Sequence, residues 1–247
     1  MTGWWASAAV GGLLALGYLG AVLARPATLP RWNPWRTAAW LAGAATVAVA
    51  LSPPLMELAR VDHRAHMTQH LLLGMYAPLG LVLAAPVSLA LGTAPRRLQL
   101  ALTGVLRSTV VHVVAHPVAA AILSTGTLFV LYLTPLFEAT QRLPAAHGLL
   151  LVHLVVGGCL YTWSIAGPDP APRRPGMTSR IVVLVGAAGA HAYLAKVLYA
   201  RAELHSSYGA HGAAEAQGAA QLMYYGGDLA EILLAMTLFA AWYQRRA

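Results

Sequence analysis

The stretch DHRAHMTQHLLLGMYAPLGLVLAAP, residues 62–86, indicates the fold class more clearly than any other part of the sequence. It opens with polar residues and continues as an apolar run. A bilayer core about 30 Å thick needs about 20 such residues per helix. Pro78 and Pro86 remove backbone donors and should kink the helix, which the interior of a helical bundle tolerates. The stretch therefore predicts a kinked, membrane-spanning helix.

The rest of the chain repeats this apolar pattern. Of its 247 residues, 58% are hydrophobic and only 10% are charged, a balance that soluble domains of this size do not usually show. Apolar runs fall near 4–24, 36–56, 66–92, 112–134, 146–166, 179–200 and 221–243. The first run lacks a preceding basic region and a cleavage site, so we expect it to be retained as a span. We predict an all-α integral membrane protein, a seven-transmembrane-helix bundle that forms a single domain over residues 1–247.

The distribution of basic residues predicts the orientation. Most arginines fall in loops that share a side with the C-terminus, and the exceptions are Arg60, Arg64, Arg142 and Arg201. The positive-inside rule then gives an N-out/C-in topology. The same topology accounts for the excess of 16 Lys+Arg over 8 Asp+Glu, so no nucleic-acid partner is expected. The segment 96–111 mixes arginine with leucine and is predicted to lie along the membrane interface.

Histidines concentrate at the outer ends of the predicted helices. His63, His66 and His70 follow one another at spacings of three and four, so they share one helix face. His153 and His191 fall at matching depth on two other helices. Imidazole suits copper, zinc, iron and nickel, and two imidazoles one turn apart can share an ion. Hydrogen-bonded polar residues without a metal are the alternative interpretation.

The remaining histidines have weaker patterns. His147 lies on a different helix face from His153, so both reach one site only if their helix begins after His147. His63, His205 and His211 are expected to be solvated loop residues that could relay an ion. His112 and His116 are expected to be ordinary boundary residues on the inner side. The single Cys159 provides neither a disulfide nor a thiolate zinc cluster and should be a packing residue.

Four further side chains are candidate accessory ligands. Met67 and Met223 lie near the outer boundary, and thioether sulfur prefers Cu(I) to zinc, although core packing also explains both. Asp228 and Glu231 share one face of the last helix, where a carboxylate needs a partner. Lys196 could form an ion pair with one of them. The alternatives are a proton or cation pathway, or an additional oxygen ligand.

The sequence resembles the multi-span CtaG family of caa-type cytochrome c oxidase assembly factors. The resemblance is carried by SPPLMELARVDHRAHMTQHLLLGMYAPLGLVLAAP at 52–86, HP at 116–117, LYLTPLF at 131–137, HGLLLVHLVVGG at 147–158, GPDPAPRR at 167–174 and AHAYL at 190–194. Many members have Trp-His where this chain has Leu131 and Tyr132. A DQQ-like stretch of the family is replaced by AQGAAQ at 216–221.

The resemblance implies a multi-pass factor in the bacterial cytoplasmic membrane that matures a copper-containing respiratory oxidase. It implies copper, expected as Cu(I), as the bound ion. The implied partners are the cytochrome c oxidase subunit that carries the catalytic copper and an extracytoplasmic copper donor; a homo-oligomer is also compatible. The metal ligands implied by the matching motif positions are His66, His70, His147, His153 and His191. The candidate accessory ligands remain His63, Met67, Met223, Asp228 and Glu231.

These patterns together favour a copper chaperone over an enzyme. The sequence contains no hydrolytic triad, phosphate loop or nucleotide fingerprint. Three other interpretations remain open at this stage. The first is a haem-binding electron carrier with histidines on facing helices. The second is a copper or proton transporter that uses Asp228, Glu231 and Lys196. The third is a scaffold that binds oxidase subunits without a metal.

The predicted orientation can be tested by cysteine labelling after Cys159 is replaced by alanine. A membrane-impermeant maleimide should label Ala145→Cys in intact cells. It should label Thr28→Cys only after the membrane is opened, because the arginine-rich loops stay inside. Labelling of Thr28→Cys in intact cells would reverse the topology.

Overall fold

A computed structural model describes residues 2–171, 174–204 and 209–244. These residues form helices and no strand, so the all-helical prediction is confirmed for this part of the chain. The helices are, in chain order, α1 (Thr2–Leu23), α2 (Pro34–Ala50), α3 (Pro53–Leu58), α4 (His63–Leu71), α5 (Ala77–Leu83), α6 (Pro86–Thr93), α7 (Arg96–Arg107), α8 (Thr109–Val114), α9 (Pro117–Ala121), α10 (Thr127–Leu133), α11 (Leu136–Arg142), α12 (Pro144–Ala166), α13 (Met177–Leu204) and α14 (Gly209–Gln244).

All seven predicted apolar runs contain helix, but they differ in length. Five helical stretches are long and apolar enough to cross a bilayer, namely Trp4–Leu23, His63–Thr93, Pro144–Ala166, Met177–Ala202 and Gly212–Gln244. The stretch Pro117–Leu133 is apolar but shorter, and α2 has 17 residues. The structure therefore supports a helical membrane protein with five candidate spans. The count of seven spans and the N-out/C-in orientation stay predictions.

The third apolar run is interrupted in two ways. A π-helical segment, Leu72–Tyr76, joins α4 to α5 just before Pro78. The run breaks again at Ala85, which adopts a left-handed conformation with φ 55°, and α6 restarts at Pro86. Proline lacks the N–H that continues a helical ladder, and such positions kink helices. The kinks predicted from Pro78 and Pro86 thus take the form of a π-helical segment and a break.

A second π-helical segment, Ile122–Gly126, joins α9 to α10. Single π turns inside α-helices are rare and widen the backbone locally. Both segments lie beside α12, which passes between them and contacts each one. The candidate site described below lies in the same region of the bundle.

The loop that contains Asp169 fixes the break at Ala85. Both carboxylate oxygens of Asp169 accept backbone hydrogen bonds at the start of α6, from Val87 N at 3.0 Å and Ser88 N at 2.7 Å. They therefore satisfy two of the donors that a helix N-terminus leaves unpaired. The GPDP sequence at 167–170 thus ties the end of α12 to α6.

The main core joins α2, α4, α5, α10, α12, α13 and α14 in one buried cluster. By contrast, α7 buries none of its residues and carries arginines among its leucines. This composition is typical of an interfacial helix, and the position of α7 at the membrane interface stays a prediction. Cys159 is a free thiol that packs against the main core, in agreement with the expected packing role.

Gly158 allows the closest approach between α12 and the kinked helix. A Cβ at this position would overlap the Gly74 carbonyl oxygen and would lie 2.7 Å from Pro78 Cγ. Small residues at helix crossings in membranes permit such backbone contact. The kink at Pro78 and the glycine at position 158 are therefore matched features of one interface.

We expect Gly158→Ala to destabilise the detergent-purified protein by about 1–3 kcal/mol, since the added methyl group has no space. The matched control is Gly148→Ala on the same helix, where a Cβ meets nothing within 4 Å. Thermal unfolding followed by circular dichroism would measure both variants. Equal melting temperatures for the two variants would refute the proposed tight contact.

Candidate metal site

Two histidines from different helices meet in the bundle interior. His70 on α4 and His191 on α13 have ring centroids 6.5 Å apart and planes only 10° from parallel. Their side chains are 3% and 2% exposed, respectively. Within the part of the chain that the structure describes, none of their four ring nitrogens has a hydrogen-bond partner. These two rings form the centre of the candidate site.

The last helix holds the His191 ring in place. Gly227 on α14 lies so close to this ring that a Cβ there would overlap it. The adjacent Gly226 similarly faces a methyl group of Leu71 on α4. The glycine pair therefore lets α14 pack against both helices that carry the histidines.

The separation of the two ring centroids is close to that of two imidazoles that share one ion. Metal–nitrogen bonds to imidazole are about 2.0–2.1 Å, so two imidazoles on opposite sides of an ion have centroids about 6 Å apart. Buried polar atoms normally have a hydrogen-bond partner, and an unpaired one costs about 1–3 kcal/mol. The unpaired nitrogens of His70 and His191 are explained if an ion or a water molecule bonds to them. No group of three or more His, Cys, Asp or Glu with metal-binding geometry occurs among the described residues.

A small inner cavity of about 30 Å³ lies next to the pair, and a space of this size holds about one water molecule. Its polar lining consists of Ser124, Thr125, Thr162 and the side chains of His70, His153, Tyr161, His191 and Glu231. Helices α4, α12, α13 and α14 thus each contribute a chemically active group to one small space.

His153 borders the inner cavity in a fixed orientation. Its Nε2 lies 2.9 Å from the Leu123 carbonyl oxygen and 3.1 Å from Thr127 Oγ1. Because a carbonyl group only accepts, Nε2 must carry the proton. This tautomer leaves Nδ1 unprotonated, as metal-binding histidines require. His153, a ligand predicted from the sequence, therefore lies at the site, but its Nε2 is hydrogen-bonded to the π-helical segment Ile122–Gly126.

Glu231 is the acidic residue of the inner cavity. Its side chain is 6% exposed, and Tyr161 OH donates a 3.4 Å hydrogen bond to its Oε2. Asp228 is half-buried and is not part of the inner cavity lining.

Lys196 forms no ion pair with either carboxylate among the described residues. Its exposed ammonium instead lies 5.3 Å from the ring centroid of Tyr224, so the ion pair considered from the sequence is not formed.

A larger outer cavity of about 320 Å³ lies next to His66, one helical turn from His70. His63, His66, Met67, Tyr132 and Phe137 are among its lining residues. The His66 ring lies edge-to-face against Phe137 and Tyr132, with centroids 5.0 and 6.3 Å away. Its Nδ1 is buried and has no hydrogen-bond partner among the described groups. Met67 also lines this cavity and is part of the buried main core, so the accessory-ligand role stays a prediction beside the packing role.

His63 differs from its predicted role as a loop residue. It is the first residue of α4, and its Nδ1 lies 2.9 Å from Glu215 Oε1. The same carboxylate oxygen accepts a 2.7 Å hydrogen bond from the His63 backbone N–H. Asp62 is the N-cap of α4, so His63 belongs to the helix and not to the preceding loop. The spacing of the histidines alone did not indicate Glu215.

The other predicted ligands do not reach the inner cavity. α12 begins at Pro144, before His147, so His147 faces away from His153 and instead lies near enough to His66 to interact electrostatically. Met223 is fully buried in the main core and belongs to neither cavity.

His205 and the side chain of His211 lie outside the described residues. His116 caps α9 by accepting from Val118 N at 3.3 Å, so it lies at a helix end.

The structure thus brings together three of the five predicted ligands, His70, His153 and His191, around one cavity. It places His66 at the neighbouring cavity and His147 near His66. Sequence reasoning missed the aromatic residues Tyr132 and Phe137, and also Tyr161. It also missed Gly227, although a glycine pair inside an apolar helix is a signal of close packing that could have indicated it.

Comparison with known proteins agrees with the resemblance in the sequence motifs. The chain is 33% identical over 193 residues to the uncharacterized proteins Mb0105 of Mycobacterium bovis and MT0111 of Mycobacterium tuberculosis. It is 31% identical over 189 residues to the uncharacterized protein ML1998 of Mycobacterium leprae. These matches cover 73–75% of this chain but only 28–29% of the relatives, so the chain spans less than a third of their length. No solved structure matches the chain.

A family model places these similarities in one group. The model for the cytochrome c oxidase caa3 assembly factor matches residues 16–245, which include the cavities, the histidine pair and all five candidate spans except the start of the first. The chain therefore belongs to the caa3-type cytochrome c oxidase assembly factor (CtaG) family.

Proposed function

We propose that this protein binds Cu(I) between His70 and His191 inside the membrane and transfers it to a cytochrome c oxidase during assembly. The observation that carries the proposal is the pair of parallel, buried imidazoles whose four nitrogens have no partner among the described residues. Polar side chains at membrane depth are costly and tend to be functional. The role is that of a carrier, because nothing in the cavity suggests a substrate that the protein would transform.

The ligand set favours Cu(I) over zinc. Zinc in structural sites takes four ligands, and in catalytic sites three protein ligands plus water. The described residues offer two meeting imidazoles, a third histidine with one nitrogen engaged, and a buried methionine near the entrance. Imidazole and thioether ligands together favour copper, and the thioether favours its reduced form. A site with few ligands is also suited to giving up its ion by ligand exchange.

The two cavities suggest a route for the ion. Cu(I) enters the outer cavity, whose lining includes His63, His66 and Met67, and then moves one helical turn to His70 and His191. The ion is then held inside the bundle and can pass sideways to another membrane protein without contacting water. The outer cavity therefore serves for loading from an extracytoplasmic copper donor.

The proposed recipient is the oxidase subunit that carries the catalytic copper. Family membership implies that the oxidase is the partner, and transfer within a bilayer requires a recipient in the same membrane. We therefore infer that the protein acts in the bacterial cytoplasmic membrane, in agreement with its bacterial relatives.

The size of the inner cavity favours an ion over haem. Pockets for cofactors and drug-sized ligands typically occupy about 300–1,000 Å³, whereas about 30 Å³ is open beside His70 and His191. A porphyrin would have to displace the helices that hold the two rings. A Soret band in the purified protein would nevertheless be decisive in favour of the haem interpretation.

Replacing either His70 or His191 with alanine should abolish high-affinity copper binding. We expect about one Cu(I) per chain in the wild type and much less in each variant, because a single remaining imidazole cannot hold the ion. Elemental analysis after dialysis of the reduced, detergent-purified protein would measure this ratio. His112→Ala is the matched control, since His112 lies on the inner-side helix α8 outside both cavities.

Two further observations separate the competing roles. Unchanged copper content in both variants would remove the pair from the site and would favour a metal-free scaffold. Copper flux through proteoliposomes that contain only this protein would favour a transporter. A chaperone should instead support copper incorporation into the oxidase in cells, and the variants that lose copper should lose this activity.

Glu231→Gln should weaken Cu(I) binding by about tenfold, because an ionised carboxylate would offset the charge of a cation in the inner cavity, whereas glutamine carries no charge. A competition titration with a colorimetric Cu(I) chelator would measure the affinity. Asp228→Asn is the matched control, because Asp228 lies one turn away on the same helix and outside the inner cavity lining. Equal affinities for the two variants would show that Glu231 does not contribute charge to the site.

A further inference from the structure

Tyr132 lies at the boundary between the two cavities. It is one of the lining residues of the outer cavity, whereas Leu128, one turn earlier on α10, lines the inner cavity. On the facing helix α4, His66 lines the outer cavity and His70 lines the inner cavity. The Tyr132 ring contacts both histidines edge-to-face, at 6.3 Å between centroids in each case. The aromatic ring therefore lies between the two cavities.

Packing rather than hydrogen bonding holds this ring. The Tyr132 hydroxyl is buried and has no hydrogen-bond partner among the described residues. Phe137, whose ring centroid is 5.6 Å away, supports it from the outer side. A ring without a hydrogen bond can move aside without breaking one, so its displacement costs only packing contacts.

From this arrangement we propose that Tyr132 is the barrier that controls access from the outer cavity to the buried histidine pair. The barrier excludes water and bulky solutes from His70 and His191 while the ring is in place. The ion passes when the ring moves aside, and it exchanges directly from His66 to His70, which lie one turn apart. The role in ion transfer rests on the proposed function, whereas the separation of the two cavities does not.

The separation can be tested on the metal-free protein with diethyl pyrocarbonate, which modifies unprotonated imidazoles. Mass spectrometry should show faster modification of His66, which lines the outer cavity, than of His70 in the wild type. Tyr132→Ala should raise the modification rate of His70 by about tenfold or more, since the removed ring leaves an open path. Tyr132→Phe should behave like the wild type, because the ring and not the hydroxyl forms the barrier.

Phe129→Ala is the matched control for loss of packing. Phe129 lies on α10 three residues before Tyr132 and lines a groove against α13, outside the lining of both cavities. If Phe129→Ala exposes His70 as much as Tyr132→Ala does, the effect is general loosening and the proposal is wrong. The proposal is also wrong if His70 reacts as fast as His66 in the wild type, or stays protected in Tyr132→Ala.

A second measurement tests the barrier during ion transfer. The protein is loaded with Cu(I) and mixed with excess bicinchoninate, which reports the released ion by its colour. Tyr132→Ala should release copper about tenfold faster than the wild type, while Tyr132→Phe and Phe129→Ala should not. Equal release rates in all four proteins would refute the role in transfer. If the wild type binds no copper, the proposed function fails, and the reagent experiment alone decides whether Tyr132 separates the cavities.

Discussion

The arrangement of this protein depends on keeping two imidazole rings parallel in its buried interior. A ring nitrogen that lacks a partner is costly in such surroundings, and His70 and His191 together have four such atoms among the described groups. Such unpaired nitrogens are tolerated only if other contacts of the fold hold the rings in place, or if a ligand bonds to the nitrogens. Gly227 against His191 provides one such contact, and the close packing of α14 against α4 and α13 provides the rest.

The two π-helical segments extend this arrangement across the bundle. One lies directly after His70 on the kinked helix, and the other accepts the hydrogen bond from His153 through the Leu123 carbonyl. Such segments widen a helix locally and often occur at functional sites. Here they let α12 approach both neighbouring helices, with Gly158 allowing the closest contact. The inner cavity is therefore a product of local helix irregularities and not of regular helix packing.

Two cavities of different character follow from the same helices. The outer cavity is large and contains a histidine that pairs with Glu215, whereas the inner cavity is small and contains the carboxylate of Glu231. The helical spacing of His66 and His70 connects them, and Tyr132 separates them. This layout agrees with an assembly factor that accepts an ion at one end and holds it at depth, which is the role proposed for this member of the family.

The sequence by itself determined the helical membrane class and the helices that carry the histidines, because hydropathy and helical spacing depend only on local order. Its motifs indicated the family. It also indicated the kinks at Pro78 and Pro86. Only the tertiary structure decided which rings meet, because the azimuth of each helix depends on packing against its neighbours. Hence His70 faces His191, whereas His147 and Met223 lie elsewhere and Lys196 contacts Tyr224 rather than a carboxylate. The position of Tyr132 between the cavities likewise arises from contacts between residues far apart in the chain, which no local pattern encodes.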